Sequence, residues 1–477
     1  MTLIAFIALP LVFALFAYVW PAERSRPLLL PLASALHAGF AVYLFANPVG
    51  PDELGWLAMD APGTLVLLVI EALYLGCAVY AVSYLRVRSD LSNRIFVPAM
   101  LGLLAMMSLV VLAHHLGLLW VGVEAMTLSA APMLYFNRNA RSIEATWKYL
   151  VIGSVGIALA LLGSFFLGYA ALHAGLPSSL VFGDLVRDAS RLSRPWLHAG
   201  VVLTLVGYGT KMGLAPMHTW KPDAYGEAPG LVGALMAGGV TNCAFLAVLR
   251  IMQIDFAAGD AAFGRSLLVF IGLFSMALAA VFMIRQRDFK RMLAYSSVEH
   301  MGLLSLGTGI GGLALFGSLF HVINNALTKG VLFLSAANIH REYQSKYIPE
   351  VRGALTRLPV SAALFLTAFL AITGSPPFGP FVSEFTILSG AFSAGRYAIG
   401  SAALALLAAI FVGMGATVLT VVQGEPPGIP GPGRREHWLS VTPIFALLAA
   451  VLCLGIWMPA QLRELLMQAA QTIEGHS

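Results

Sequence analysis

The sequence predicts an all-α, polytopic membrane protein of about fourteen transmembrane helices. Three observations carry that prediction. Of its 477 residues, 59% are hydrophobic and only 11% are charged, with a mean hydropathy of +0.83. That is more apolar surface than a water-soluble core could bury, so lipid must be the solvent. Apolar runs long enough to cross about 30 Å of hydrocarbon as helices recur along the whole chain. The charged residues gather in short stretches between those runs, so the net charge of +5 reads as membrane topology and excludes a nucleic-acid partner.

In order, the runs fall near 3–20, 28–46, 64–85, 96–113, 115–135, 148–172, 198–216, 228–250, 266–285, 292–308, 312–340, 359–390, 398–422 and 440–459. The first lacks the basic flank and small-residue cleavage site of a secretory signal and is expected to be a retained span. Odd-numbered loops hold most of the Lys and Arg, among them Arg24, Arg86, Arg88, Arg138, Lys221, Arg291 and Lys346. Even-numbered loops and helix ends hold few, such as Arg187, Arg191, Arg250 and Arg265. The asymmetry predicts odd loops in the cytoplasm and both termini on the outer side of the inner membrane.

Two spans are interrupted alike, the seventh by Gly213 and Pro216 and the twelfth by Gly374, Pro376, Pro377, Gly379 and Pro380. Each is the fourth helix of a five-helix block. Five is odd, so the second block starts from the opposite face, as in an inverted repeat whose broken helices meet ions near the midplane. The expected organisation is therefore 1–95 for helices 1–3, 96–250 for the first block, and 266–422 for the inverted second block. Residues 423–477 supply a loop, rich in Pro and Gly over 424–433, then helix 14 and a short tail.

Chemistry lies in the polar residues that interrupt this apolar pattern. Glu71, Glu124, Glu299, Glu384, Lys148, Lys211 and Lys329 all fall in or at the ends of spans, with His37, His114, His115, His300 and His321. At roughly 2.5–3.5 kcal/mol for each charge at a helix centre, a merely structural chain has little reason to keep them. Groups of this kind, paired and buried, can hold and release protons. His321, Asn325 and Lys329 recur every four residues and so share one helix face. His114 and His115 fall at a turn and read as interfacial, whereas Lys148 opens a helix after a basic loop, where snorkelling competes with burial.

Other chemistry is not supported. Cys77, Cys243 and Cys453 lie far apart in separate apolar runs, with no spacing that would hold a metal, cluster or haem, so no metal site or cofactor is expected in this chain. Gly307, Gly309 and Gly312 spell G-x-G-x-x-G but join two apolar helices with no preceding strand, which removes the nucleotide reading.

The stretch Lys211-Met-Gly-Leu-Ala-Pro-Met-His-Thr-Trp-Lys-Pro-Asp-Ala-Tyr-Gly-Glu-Ala-Pro resembles the signature of antiporter-like subunits of the complex I and membrane-bound hydrogenase superfamily. Trp120-Val-Gly-Val-Glu124-Ala, Asp288-Phe-Lys-Arg-Met-Leu-Ala-Tyr-Ser-Ser and Asn325-Ala-Leu-Thr-Lys329-Gly agree with it. Glu144-Ala-Thr-Trp-Lys148-Tyr-Leu and Ser154-Val-Gly-Ile-Ala-Leu-Ala-Leu-Leu-Gly are most similar to the F component of the hydrogenase-4 and formate hydrogenlyase group. The resemblance covers roughly 96–422.

It implies a proton pathway. Glu124 stands at the family's fifth-helix glutamate, Lys211 at its broken-helix partner, Lys329 at the central lysine, and Glu384 at the exit-side acid. His321 sits two turns before Lys329, as a family histidine does; Glu299, His300, Asn325 and Lys148 are added as candidates from their place in the spans. Where the family usually has a lysine in the eighth helix this chain has Asn242, with Ala237 a turn and a half earlier, and Lys221 stands where the family usually has Leu. A neutral amide cannot carry a proton as an ammonium does, but it can orient a water that does.

Iron–sulfur, nickel–iron or flavin groups are then expected only in partner subunits of a redox-driven complex, docked on the cytoplasmic side with other membrane subunits. The alternatives are the membrane half of an inorganic-carbon uptake complex with a zinc carbonic-anhydrase-like partner, and a scaffold that conducts nothing.

Overall fold

In lipid every backbone polar group must be satisfied within the chain, and a long apolar run meets that demand as a helix. The computed structural model describes residues 1–426 and 436–475 and is built from helices, with no strand among the described residues beyond isolated bridges. The loop expected over 424–433 lies outside the described residues from 427 onward. Among the described residues, nine helices are long and apolar enough to cross a membrane.

The first part of the chain comprises α1 (Thr2–Val19), α2 (Leu29–Ala46), α3 (Ala61–Val87), α4 (Phe96–Leu112), α5 (Leu116–Leu134), α6 (Ala140–His173) and a short α7 (Phe182–Arg187). Polar caps fix where helices begin. Asp60 accepts from Gly63 N ahead of α3, and Asn139 with Ser142 forms a reciprocal capping box ahead of α6.

Next come α8 (Arg194–Met212), α9 (Trp220–Glu227), α10 (Gly230–Leu235), α11 (Thr241–Ala257) and α12 (Ala261–Met283). The seventh run therefore does not stop at its glycine and proline. It resumes after 213–219 as α9, where the polarity of Lys221, Pro222, Asp223 and Gly226 predicts a loop. Between α10 and α11 one π-helical turn, Met236–Val240, keeps the two continuous.

The remaining elements are α13 (Phe289–Ile310), α14 (Leu313–Tyr343), α15 (Ala354–Arg357), α16 (Pro359–Ile372), α17 (Gly379–Ser393), α18 (Tyr397–Val422), α19 (Trp438–Ile456) and α20 (Ala460–Glu474). The twelfth run is two helices, α16 and α17, separated by 373–378. The tail adds α20, whose Leu465, Leu466, Ala469 and Ile473 pack inward against α3, α11 and α14.

Burial shows what the bundle is organised around. From Ala314 to Ile339, α14 is enclosed almost end to end, with α3, α13, α16, α17 and α19 packed on it. From Gly230 to Met252 the α10–α11 segment is wholly buried. By contrast α1, α12 and α18 expose Val12, Phe270, Val281 and Val412, the large apolar side chains expected against lipid.

Candidate functional site

The polar residues of α14 are buried, so their partners have to come from α14 itself or from neighbouring helices. Lys329 is fully buried and its Nζ donates to Ser296 Oγ of α13 at 2.6 Å. Two turns earlier, His321 Nδ1 meets Ser383 Oγ of α17 at 2.9 Å and its Nε2 meets His300 Nδ1 of α13 at 3.0 Å. Ser383 Oγ in turn donates to Pro380 O at 3.0 Å. It therefore accepts from His321 Nδ1–H, which leaves His321 Nε2 as acceptor for His300 Nδ1–H. Glu299 Oε2 stands 3.8 Å from His300 Nε2. Asn324 Nδ2 donates to Phe320 O at 3.1 Å, whereas both amide atoms of Asn325 are buried without a partner.

Glu384 completes this half. It is buried on α17, with Oε1 unpartnered and Oε2 turned into the break: a Cβ on Gly374, whose φ is +70°, would collide with that oxygen. The ligand atoms of His300, His321 and Glu384 lie within 4.8 Å of one another and could hold a metal ion. His321 already spends both ring nitrogens on Ser383 and His300, however, so the arrangement is a hydrogen-bonded chain as it stands.

The first half is sparser. Lys211, near the end of α8, is buried with Nζ unpartnered, 4.9 Å from the Tyr149 ring centroid. Glu124 on α5 accepts from Ser154 Oγ at 2.9 Å. The direct Glu124–Lys211 ion pair that the sequence suggests is not formed: among the described residues no carboxylate lies within 4 Å of Lys211, although Glu124 is near enough to act on it electrostatically. Asn242 opens α11 just after the π turn; its Nδ2 donates to Gly238 O at 2.8 Å and lies 3.5 Å from Val322 O of α14, and its Oδ1 is free.

Lys148 stands apart from the buried row. Its side chain is 42% exposed and pairs with Glu144 at 2.6 Å and Asp223 at 2.7 Å. Arg291 joins Asp223 at 3.1 Å, and Lys346 joins Asp288 at 3.3 Å and also Glu227. Beside this network a cavity of about 610 Å³ is lined by Arg88, Arg141, Glu227, Lys290 and Lys346. The seventh run begins its break among the buried residues Gly213, Leu214 and Ala215, the twelfth has Pro376 and Pro377 exposed but turns Glu384 inward, and the end of α9 opens onto a charged vestibule.

Two clusters are not legible from spacing along the chain. His37 and Glu71, each a lone polar residue in its own apolar run, bond each other at 2.7 Å, with His37 stacked on Phe6 and 3.4 Å from Ser108 Oγ. Lys221, in a stretch with a loop's polarity, is fully buried in the first turn of α9, and its Nζ donates to Met212 O at 2.7 Å. The signal that could have found it is the spacing from the break, since a residue eight positions after Gly213 still belongs to the interrupted helix.

A helical bundle with two broken helices aimed at a buried row of amines, imidazoles and carboxylates defines an ion-translocating membrane subunit of the antiporter type. The comparisons agree: residues 113–421 match the family described as NADH:quinone oxidoreductase/Mrp antiporter, transmembrane, and the chain belongs to it. It is an antiporter-like membrane subunit of the kind found in complex I and membrane-bound hydrogenases.

The chain is 36% identical over 365 residues, 75% of each protein, to a hydrogenase-4 component F homolog of Methylacidiphilum infernorum. To NADH-quinone oxidoreductase subunit N of Desulforudis audaxviator it is 32% identical over 381 residues, 78% of this chain and 73% of that one. A chain of Thermus thermophilus respiratory complex I with bound Aureothin superposes with a TM-score of 0.78 at 25% identity, covering 96% of this chain and 97% of that one. One of the Mrp complex from Dietzia sp. gives 0.87 at 20% identity over 100% and 97%, a likeness of fold.

Proposed function

We propose that this chain translocates protons across the inner membrane as one subunit of a redox-driven complex, with Glu124, Lys211, Lys329, His321, His300, Glu299 and Glu384 carrying the proton. Asn242 and Asn325 serve as orienting amides, and Lys148 acts only at the vestibule. In this reading fourteen helices cross the membrane, and 96–250 and 266–422 are the two inverted blocks, flanked by 1–95 and 423–477. The redox module, holding iron–sulfur, nickel–iron or flavin groups, docks with other membrane subunits on the cytoplasmic side.

The observation that carries the reading is the chain of buried contacts from Lys329 through α13 to His300, His321, Ser383 and the neighbouring Glu384. Burying such groups costs several kcal/mol each, far more than the single bonds they make return. Contacts this expensive persist where a charge must pass. A redox event in the partner shifts the charge near Glu124 and Lys211, and the proton is driven on toward Lys329 and Glu384.

The test is proton movement in vesicles reconstituted with the assembled complex. Lys329→Ala is expected to assemble and bring proton movement to the rate of protein-free vesicles while the partner's redox activity becomes uncoupled. Full coupling in that variant would end the proposal and leave a scaffold. The chains that co-purify decide the partner: iron–sulfur or nickel–iron subunits support it, and a carbonic-anhydrase-like protein overturns the redox part.

A further inference from the structure

Between Lys211 in the first half and Lys329 in the second lies a stretch in which α11 offers only the amide of Asn242. Among the described residues, Arg250, Lys290 and Lys346 are also buried outside the proposed pathway, but Arg250 and Lys346 pair with carboxylates and Lys290 bonds Ala228 O at the vestibule, whereas Lys221 sits at the first break itself. Its surroundings are built for it. The break at 213–219 exposes the last carbonyls of α8, where orphan acceptors and the negative end of the helix dipole gather. Lys221 returns from α9 to take one of them, Met212 O, at 2.7 Å. Room for the amine comes from Gly213, whose φ of +79° favours glycine and whose missing Cβ would lie 2.8 Å from Nζ.

The second broken helix repeats the device. There Gly374, also at positive φ, leaves space for the Glu384 carboxylate returning from α17. In each break the half-helix that follows sends one ionisable group back against the glycine that ends the half before it: a lysine in the first, a glutamate in the second.

The rest of the environment suits a group that gains and loses a proton. Lys221 makes one hydrogen bond although an ammonium has three donors, and no carboxylate lies within 4 Å among the described residues. Its Nζ stands 5.7 Å from the Tyr225 ring centroid, and it lies near enough to His218, His300 and Lys329 for like charges on them to repel. Tyr225 lies beside Ser297, next in sequence to the Ser296 that holds Lys329. Toward the other side, α9 runs six residues to Glu227 at the vestibule, roughly 9 Å at 1.5 Å per residue.

We infer that Lys221 is a proton-binding station of the pathway, bridging Lys211 and Lys329 in the place that Asn242 leaves without an amine. The inference rests on the proton-translocating reading above. In the step, the lone pair of a neutral Lys221 amine takes a proton released, through intervening water, by the Lys211 ammonium, which becomes an amine. The Lys221 ammonium then gives one N–H proton onward to a neutral Lys329. No electron moves and total charge is conserved.

A structural lysine would need only its charge and its bond to Met212 O. Lys221→Arg separates the two roles, because a guanidinium keeps both but does not release its proton. In the reconstituted complex, Lys221→Arg is expected to assemble with unchanged thermal stability and to lose proton movement, as is Lys221→Leu. Lys221→Leu combined with Asn242→Lys restores an amine to the gap and is expected to recover a measurable fraction of it. Parental coupling in either single variant, with Lys329→Ala inactive, overturns this inference and leaves the translocation reading intact. Parental coupling in Lys329→Ala as well overturns both. If Lys221→Leu fails to assemble, the arginine variant alone decides.

Discussion

Arg250 shows how a buried charge is handled where no transport is required of it. It lies 2% exposed in the middle of α11 and spends its guanidinium on the carbonyls of Val110, Val111 and Ala113 and on Asp60 Oδ1 at 3.2 Å. Burial pushes the Asp60 carboxyl up, but Arg250 and His114 beside it outweigh that and hold it well below the usual carboxylate range. The sign follows: a carboxyl whose folded value is depressed stabilises fully above its unfolded value near 4, and the contribution is lost as pH falls through the folded one. Asp60→Asn should cost about 3 kcal/mol at neutral pH by leaving Arg250 without its counter-charge, and the variant's stability should change less than the parent's below pH 4. Thermal unfolding of both proteins against pH measures this; parallel curves would show that the pair contributes nothing. Lys211 is the opposite case, a cation without a contacting carboxylate. In a double-mutant cycle, Glu124→Gln and Lys211→Met should therefore couple by less than about 1 kcal/mol in stability, although each stops proton movement. A larger coupling would show that the two meet in a conformation other than this one.

At the scale of the element, the broken helices explain what can be read from the chain and what cannot. Gly213 with Pro216, and Gly374 with its prolines, announce both interruptions, because glycine at positive φ and proline without an N–H end a helix by local chemistry alone. Local chemistry does not report which side of a break is buried. Trp220 to Glu227 reads as a loop, and only its packing against α6 and α13 makes Lys221 an interior residue. The same limit hides the bond between His300 and His321, which sit 21 residues apart on different helices, and the one between His37 and Glu71, 34 apart. Periodicity does find the face shared by His321, Asn325 and Lys329, since one helix carries all three. The glycines also yield a prediction. Gly374→Ala forces a methyl into Glu384 Oε2 and places alanine in the left-handed region, which alone costs about 1–2 kcal/mol. A lowered melting temperature with loss of proton movement is expected, and an unchanged rate would mean that the position of Glu384 against the break is immaterial.

For the whole molecule, the arrangement of charge at the two ends of the bundle supports the proposal that the cation-rich end faces the cytoplasm. Arg88 after α3 bonds Asn137 after α5, Arg141 at the start of α6 reaches Tyr347 after α14, and Lys346 joins Asp288 ahead of α13. These segments belong to odd-numbered loops and touch one another, so most of the cations gather at one end. The other end holds fewer cations, several of them in ion pairs: Arg187 with Asp184 and Asp188, His198 with Asp260, and Arg265 with Glu474. Glu474, at the end of α20, also accepts from Gly312 N between α13 and α14. That contact holds the tail at this end, which we propose faces outward because the positive-inside rule places the cation-rich end in the cytoplasm. If fourteen helices cross, as proposed, the N-terminus shares that side. Tags at both termini should therefore react with a membrane-impermeant reagent in intact cells. A C-terminal tag that reacts only after permeabilisation would invert the orientation, and a reactive C-terminus with a protected N-terminus would make the number of crossings odd and rule out fourteen.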